Sequence, residues 1–518
     1  MAPVHAPAAS PSPLAADPVR QRLTGDRSFF GHPGGLATLF ATEMWERFSY
    51  YGIRPLLVLF MTAALGDGGF GFARPQASAI VGIYAASVYL ASLPGGWVAD
   101  RWLGLQRSIW YGGIFIALGH LAIALSAVFA QGAFFLGLVL IVVGTGLLKP
   151  NISALVGDLY PEGGARRDAG FSIFYMGINT GAFLAPLITG YLGERVGWHW
   201  GFGAAGVGML LGVITYRARA TRTLGPLGDT PSADAAERQR VKRWALAGLA
   251  LAFGVVALAM AGVIRIDPIA IAERMSLTMA TLGLLYFGYL FVLAGLSGDE
   301  KKRIAVIFVL CLASIVFWAA FEQAPTSLNL FARDFTDRAI FGWEMPTLWL
   351  QSANSFFVIT LAPAFGALWL ALARRGLDLS SPAKFALALA ITGLAFLVMV
   401  WASNRVIAGG GAVRVSALWL TVSYLLQTFG ELALSPVGLS SMTKLSPRKF
   451  VGQMMGLWFL ATAMGNLIAG LVGGDVDPER LEQMPALFQR TATSLFLAAL
   501  MLAALVVPIR RMLARTTS

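Results

Sequence analysis

Residues 43–54 read Glu43-Met44-Trp45-Glu46-Arg47-Phe48-Ser49-Tyr50-Tyr51-Gly52-Ile53-Arg54, with four charges set inside an otherwise apolar run at 36–63. A run of that length is read as a membrane-crossing helix. Each charge at such a helix's centre costs roughly 2.5–3.5 kcal/mol on the insertion scale. Steps of three and four residues place 43, 47, 50 and 54 on one helical face, with Glu46 at its edge. A face carrying acid, base, phenol and base cannot point at lipid. It must line an aqueous path or meet partner charges inside a bundle. A carboxylate beside an arginine in a low-dielectric cavity gains or loses its proton according to how near the arginine stands, so this face is also a candidate proton switch.

The rest of the chain supports a membrane setting. Of 518 residues 57% are hydrophobic and 13% charged, where a soluble domain carries about 25% charged residues. A soluble enzyme and a disordered chain are both excluded. The single cysteine, Cys311, rules out a disulfide framework or a cysteine metal cluster. The four histidines at 5, 32, 120 and 199 form no zinc-binding motif. Fourteen apolar windows can be drawn, near 36–63, 77–99, 107–128, 132–157, 166–190, 200–216, 243–264, 275–297, 303–322, 349–373, 383–402, 416–436, 450–473 and 491–510. They group as six, two and six. Two six-helix halves are a common transporter plan, so the expected fold is an all-α membrane protein of two six-helix bundles plus two extra helices. The expected divisions are a mobile tail at 1–30, a first bundle at 31–216, a basic linker with the extra pair at 217–300, and a second bundle at 301–518.

With an even helix count both chain ends share one side. Loops on that side hold 26 of the 39 Lys and Arg, the opposite loops 10, and the spans 3. The positive-inside rule then puts both termini in the cytoplasm. The net charge of +12 is thereby a topology signal and a contact with anionic lipid, and no nucleic-acid partner is expected. Seven ionisable residues fall well inside spans: Glu43, Glu46, Arg47, Arg54, Lys149, Glu322 and Glu431. Intramembrane charges default to function. The segment Gly144-Thr145-Gly146-Leu147-Leu148-Lys149-Pro150-Asn151 superficially suggests a phosphate loop, but it lacks the required spacing and lies in an apolar run.

Glu43-x-x-Glu46-Arg47-Phe48-x-Tyr50-Tyr51-Gly52 resembles the ExxERFxYYG signature of the proton-dependent oligopeptide transporter family, within the major facilitator superfamily. Further motifs follow in that family's order. Gly95-Gly96-Trp97-Val98-Ala99-Asp100-Arg101-Trp102-Leu103-Gly104 resembles the superfamily signature between the second and third helices, which makes Asp100 and Arg101 a conformational latch at the cytoplasmic rim. The Gly144–Asn151 stretch resembles the fourth-helix motif. Residues 171–183, centred on Asn179, resemble the fifth, with Thr180 as a departure. Trp318 to Gln323 resembles the seventh helix, Gln351 to Asn354 the eighth (with Ser355 where proline is expected), Gly430 to Ser440 the tenth, and Gly456 to Thr462 the eleventh.

The resemblance implies a proton-coupled symporter importing di- and tripeptides by alternating access, with protons as coupling ion and no other cofactor. It implies no enzymatic activity. The implied setting is a bacterial inner membrane, and the chain is expected to work as a monomer. A peptide offers an ammonium, a carboxylate and generic backbone, so a tolerant cavity should grip the ends and leave roomy pockets. Arg54 and Lys149 suit the carboxylate. Glu322 suits the ammonium, with Asn179 and Asn354 beside it. Tyr50, Tyr51 and Tyr89 can hydrogen-bond and line pockets walled by Trp318 and Trp458, with Thr462 nearby. Arg54–Glu322 is the expected outer gate and Lys149–Glu431 the inner one. Proton coupling is expected at Glu43, Glu46, Arg47 and Glu322, centred on a Glu43–Arg47 pair.

Two other readings compete. A transporter for nitrate or another small anion needs net positive charge in its cavity and no partner for an ammonium, which Glu322 and the carboxylates of the first helix argue against. A peptide sensor would bind peptide and move none. The extra pair lacks embedded charge by these boundaries and is expected to do no chemistry.

Overall fold

The computed structural model describes residues 18–377 and 379–514, and these are almost entirely helical. Residues 1–17 of the expected tail lie outside them. The first half consists of α2 (Gly34–Thr62), α3 (Arg74–Val98), α4 (Leu105–Ala124), α5 (Ser126–Asp158), α6 (Gly164–Tyr191) and α7 (Trp198–Thr223). It is preceded by the short α1 (Pro18–Gly25) and followed by the extra helices α8 (Ala235–Met260) and α9 (Pro268–Val292). The second half contains α10 (Gly298–Phe321), the short α11 (Asn329–Phe335), α12 (Ser352–Arg374), α13 (Ser381–Ala408), α14 (Leu418–Leu445), α15 (Val451–Val472) and α16 (Gln483–Ala514). Among the described residues twelve helices are long and apolar enough to cross a membrane. The two other long helices are α2 and α14, which carry five of the seven embedded charges.

Each half packs on itself, α4 on α5 and α2 on α6 and α7 in the first, α13 on α14 and α16 in the second. Glycine makes the tightest approaches possible. A Cβ on Gly95 would lie 2.0 Å from the carbonyl oxygen of Gly146, so α3 and α5 touch backbone to backbone. The halves meet chiefly through α3 against α15 and α6 against α12. At Gly82 an added Cβ would sit 2.9 Å from Cα of Gly470, so this seam too is closed at backbone distance.

Several expectations need correction. Residues 18–25 of the expected tail form α1, whose Leu23 is buried against Gly225. Arg166 holds it in place by donating to the carbonyls of Thr24 and Asp26. Much of the expected basic linker is helical. Arg217, Arg219 and Arg222 ride the last turns of α7, and Arg238, Arg240, Lys242 and Arg243 the first turns of α8. Arginine and lysine are good helix formers whose heads reach the interface, so helices run past the apolar windows that identify them. The helix α9 begins seven residues early, at Pro268, because Asp267 caps it by accepting from the amides of Ile269 and Ala270. Glu273 and Arg274 therefore lie within it.

Loops facing the chain termini define the terminal face and the opposite loops the far face. On the far face the stretch 323–348 is ordered, with a turn at Ala324–Leu328, then α11, then a hairpin pairing Ala339–Ile340 with Trp343–Glu344.

Candidate functional site

The charged face of α2 is buried, with Glu43 1%, Glu46 0% and Arg47 2% exposed. Arg47 makes a two-pronged bond to its chain neighbour, Nε to Glu46 Oε2 at 2.5 Å and Nη2 to Oε1 at 2.6 Å. Its Nε is 3.4 Å from Glu43 Oε1, and Glu43 Oε2 has no hydrogen-bond partner among the described residues. The expected Glu43–Arg47 pair is made, and Arg47 also holds Glu46, more closely. Helical spacing favours the partner four residues away, but the guanidinium has turned to the fork-on-fork geometry that Glu46 offers. The two carboxylates are thus unequal, one fully compensated and one half-free.

Two helical turns further, Arg54 crosses between halves. It donates to Glu322 at the end of α10 and to Asn466 Oδ1 of α15 at 3.1 Å. Asn466 is 2% exposed, and its Nδ2 donates to the Thr462 carbonyl. Sequence reading missed Asn466. The signal available was an amide in mid-span four residues beyond Thr462, in an otherwise apolar helix. Tyr50 lies between the two arginines, its ring 4.9 Å from the Arg47 guanidinium and 5.8 Å from that of Arg54. It stacks on Tyr84. Tyr89 meets a different charge, its ring standing 4.9 Å from Lys149 Nζ.

The expected Lys149–Glu431 ion pair is not made in this conformation. Glu431 Oε2 instead accepts from Asn354 Nδ2 at 3.1 Å, and the same amide donates to Thr428 Oγ1 at 3.0 Å. Asn354 therefore accompanies Glu431 and not Glu322. Asn179, 8% exposed, donates to the Tyr175 carbonyl of its own helix. Trp318 is half-buried against Phe317 and Phe321. Trp458 is 4% exposed and lies over Gly438, where a Cβ would meet its ring at 2.0 Å, so it is a packing residue more than an open pocket wall. Thr462 spends its hydroxyl on the Trp458 carbonyl. A cavity of about 60 Å³ beside Arg54 and Glu322 is lined also by Tyr51, Asn354, Gln351 and Tyr424. Gln351 donates to the Tyr424 hydroxyl, a contact sequence reading did not anticipate.

Further hydrogen bonds and ion pairs join the halves beyond Arg54 toward the far face. Arg74 donates to Asp334 Oδ2 at 2.6 Å and to the Val476 carbonyl at 2.8 Å. Glu194 accepts from the amides of Thr347 and Leu348. Asn329 donates to the Pro55 carbonyl at 2.7 Å, and Arg333 to Thr62 Oγ1 at 2.9 Å. At the terminal face the signature residues Asp100 and Arg101 reach the linker and an extra helix. The Asp100 carbonyl accepts from Ser232, and Arg101 pairs with Glu237 of α8 at 3.1 Å.

Losing Asn466 removes one of two acceptors that hold the Arg54 charge. A hydrogen bond to a charged group contributes about 1.5–3 kcal/mol, so Asn466→Ala is expected to slow uptake by about one to two orders of magnitude. Initial rates in liposomes check this, using protein that elutes like the wild type on size exclusion.

Two six-helix halves closing on one face over a buried charged site define a membrane transporter. The comparisons place it further. The family profile described as POT family (PTR2) matches residues 106–477. The chain is 51% identical over 498 residues to the peptide transporter YePEPT of Yersinia enterocolitica, covering 95% of this chain and 97% of that one. It is 31% identical over 453 residues to dipeptide and tripeptide permease A of Escherichia coli, covering 86% and 85%. The crystal structure of a peptide transporter POT in complex with sulfate superposes with a TM-score of 0.86 at 39% identity, covering 95% of this chain and 99% of that one. The chain belongs to the POT family of the major facilitator superfamily.

Proposed function

We propose that this chain is a proton-coupled symporter that imports di- and tripeptides across a bacterial inner membrane by alternating access, with both termini in the cytoplasm. The observation that carries the reading is the Arg54 knot. One guanidinium from the first half binds a carboxylate and an amide of the second, and the cross-half bonds continue from that level to the far face. The conformation is therefore closed outward. The names of its relatives supply the substrate class.

In this reading, protonation of Glu322 releases Arg54 and lets the outer side open. A peptide entering from that side offers its carboxylate to Arg54 and Lys149 and its ammonium to the acidic side of the cavity, where Glu322 and the Asn354–Glu431 pair stand. Lys149 and Glu431 approach one another as the inner side closes, and the peptide carboxylate competes for Lys149 as that side reopens. Glu43 carries the coupling proton, because one of its oxygens is unpartnered while Glu46 is held by Arg47. Arg101 with Glu237 and Asp100 with Ser232 form the rim that latches the inner side.

The test is a pH-gradient-driven uptake panel in liposomes with dipeptides, tripeptides, free amino acids and nitrate. Accumulation of di- and tripeptides alone is expected. Accumulation of nitrate in preference to peptides would overturn the substrate assignment, and peptide binding without uptake would make the protein a sensor.

A further inference from the structure

The two extra helices behave differently. Along α8 only Val241 is buried, and the helix touches α5, the turn at Ala99–Leu103 and, lightly, α3. By contrast α9 packs on α3 of the first half and, about equally, on α15 of the second. These are the same two helices that form the principal seam between the halves. Ala272 and Met279 of α9 are buried in a small apolar cluster with Ala79 and Ala86 of α3 and Ala463 and Leu467 of α15. Ile269, Met275, Ile83 and Leu460 pack around it. On α9 these positions recur at three- and four-residue steps, so one stripe of the helix straddles the seam. The opposite stripe, with Leu277 69% and Leu285 66% exposed, faces outward.

Two features suit this contact to movement. Three of the four fully buried positions that face α9 are alanines (Ala79, Ala86 and Ala463, beside Leu467), so the centre of the contact is made of small side chains. Among the described residues no hydrogen bond or ion pair ties α9 to α3 or α15. The cluster also reaches the site, because Tyr89 packs against it and turns its ring toward Lys149.

We propose that α9 is a lateral seal: it closes the membrane-facing crevice between α3 and α15 to lipid acyl chains while the halves move against it, keeping the back of Tyr89 free of lipid. The helix α8 then has a topological task. One added crossing would invert the second half, so a helix placed at the seam needs a second crossing to restore the orientation of α10 onward. This rests on the alternating-access reading. The labelling arm of its test requires no transport, so the two can fail separately.

The test uses the full chain in phospholipid vesicles containing a lipid with a diazirine-bearing acyl chain. Photolysis and peptide mass spectrometry locate the label. Wild type should be labelled on α8 and around Leu277 but not on residues 83–90. Ala272→Trp, which wedges α9 away, should gain label on 83–90 and lose about tenfold in uptake rate, equivalent to 1.4 kcal/mol. The double variant Met275→Ala, Met279→Ala should shift both readouts the same way without added bulk, and Met279→Leu should match wild type. Label on 83–90 in wild type would overturn the proposal. So would wild-type uptake and labelling in both the tryptophan and the double-alanine variants.

Discussion

Glu322→Gln is expected to abolish proton-driven peptide accumulation while leaving a stable protein that still binds peptide. The substitution keeps the shape of the side chain and removes the charge that holds Arg54. Breaking a buried ion pair from one side costs about 3–5 kcal/mol, because the remaining charge is left uncompensated. Asn466 keeps one contact to Arg54 but supplies no charge. The outward-closed state should therefore lose about two to nearly four orders of magnitude in relative population. Initial uptake should fall by at least about 100-fold, because the cycle stalls with the outer side open. A binding assay on detergent-solubilised protein should still show peptide binding, weakened by no more than the about 1.5–3 kcal/mol of a hydrogen bond to the charged ammonium, because the Gln amide keeps an acceptor oxygen. Uptake within a factor of about two would show that the Arg54–Glu322 bond is not a gate, because it would leave less than 0.5 kcal/mol to assign to it.

The second large effect separates the two carboxylates of α2. Glu43→Gln mimics a permanently protonated carrier. It removes a charge whose one oxygen has no partner and whose other is 3.4 Å from Arg47. Counterflow exchange of peptide should persist within about threefold, while pH-driven accumulation disappears, because exchange needs the rocking movement but no net proton transfer. Glu46→Gln should behave differently. It breaks the two-pronged bond that neutralises Arg47, so about 3–5 kcal/mol is at stake in folding and in both transport modes. Thermal unfolding and counterflow measured side by side distinguish the outcomes. A Glu43→Gln protein that still accumulates peptide, beside a Glu46→Gln protein that folds and exchanges but does not accumulate, would transfer the proton to Glu46.

Much of this architecture is readable in the chain because charge is scarce. Glu43, Arg47, Arg54 and Glu322 stand out in apolar runs, and the cross-half contact of Arg54 with Glu322 joins residues 268 positions apart that the family resemblance implied as partners. What the chain does not reveal has physical causes. Hydropathy detects the part of a helix that lies in lipid, so α7, α8 and α9 were drawn short where arginines, lysines or a capped turn carry the helix into water. Spacing finds Glu43 as a partner for Arg47 but not the closer two-pronged bond to Glu46, which the side chain's rotamer decides. Asn466 gave a weak signal because a single amide among glycine and alanine reads as ordinary helix packing until a distant arginine is found on it. In the proposed cycle the Lys149–Glu431 pair forms when the inner side is shut. One conformation shows Lys149 on Tyr89 and Glu431 on Asn354. The straddling of two halves by α9 depends on tertiary arrangement that no local pattern encodes.

The central claim is that peptide and proton cross together. It is tested most directly with no imposed gradient, using liposomes containing the protein and an internal pH dye. Adding a dipeptide outside should acidify the interior in step with peptide uptake, a protonophore should erase the pH signal, and Glu43→Gln should give neither accumulation nor acidification. Peptide uptake at the wild-type rate with no change in internal pH would contradict the account.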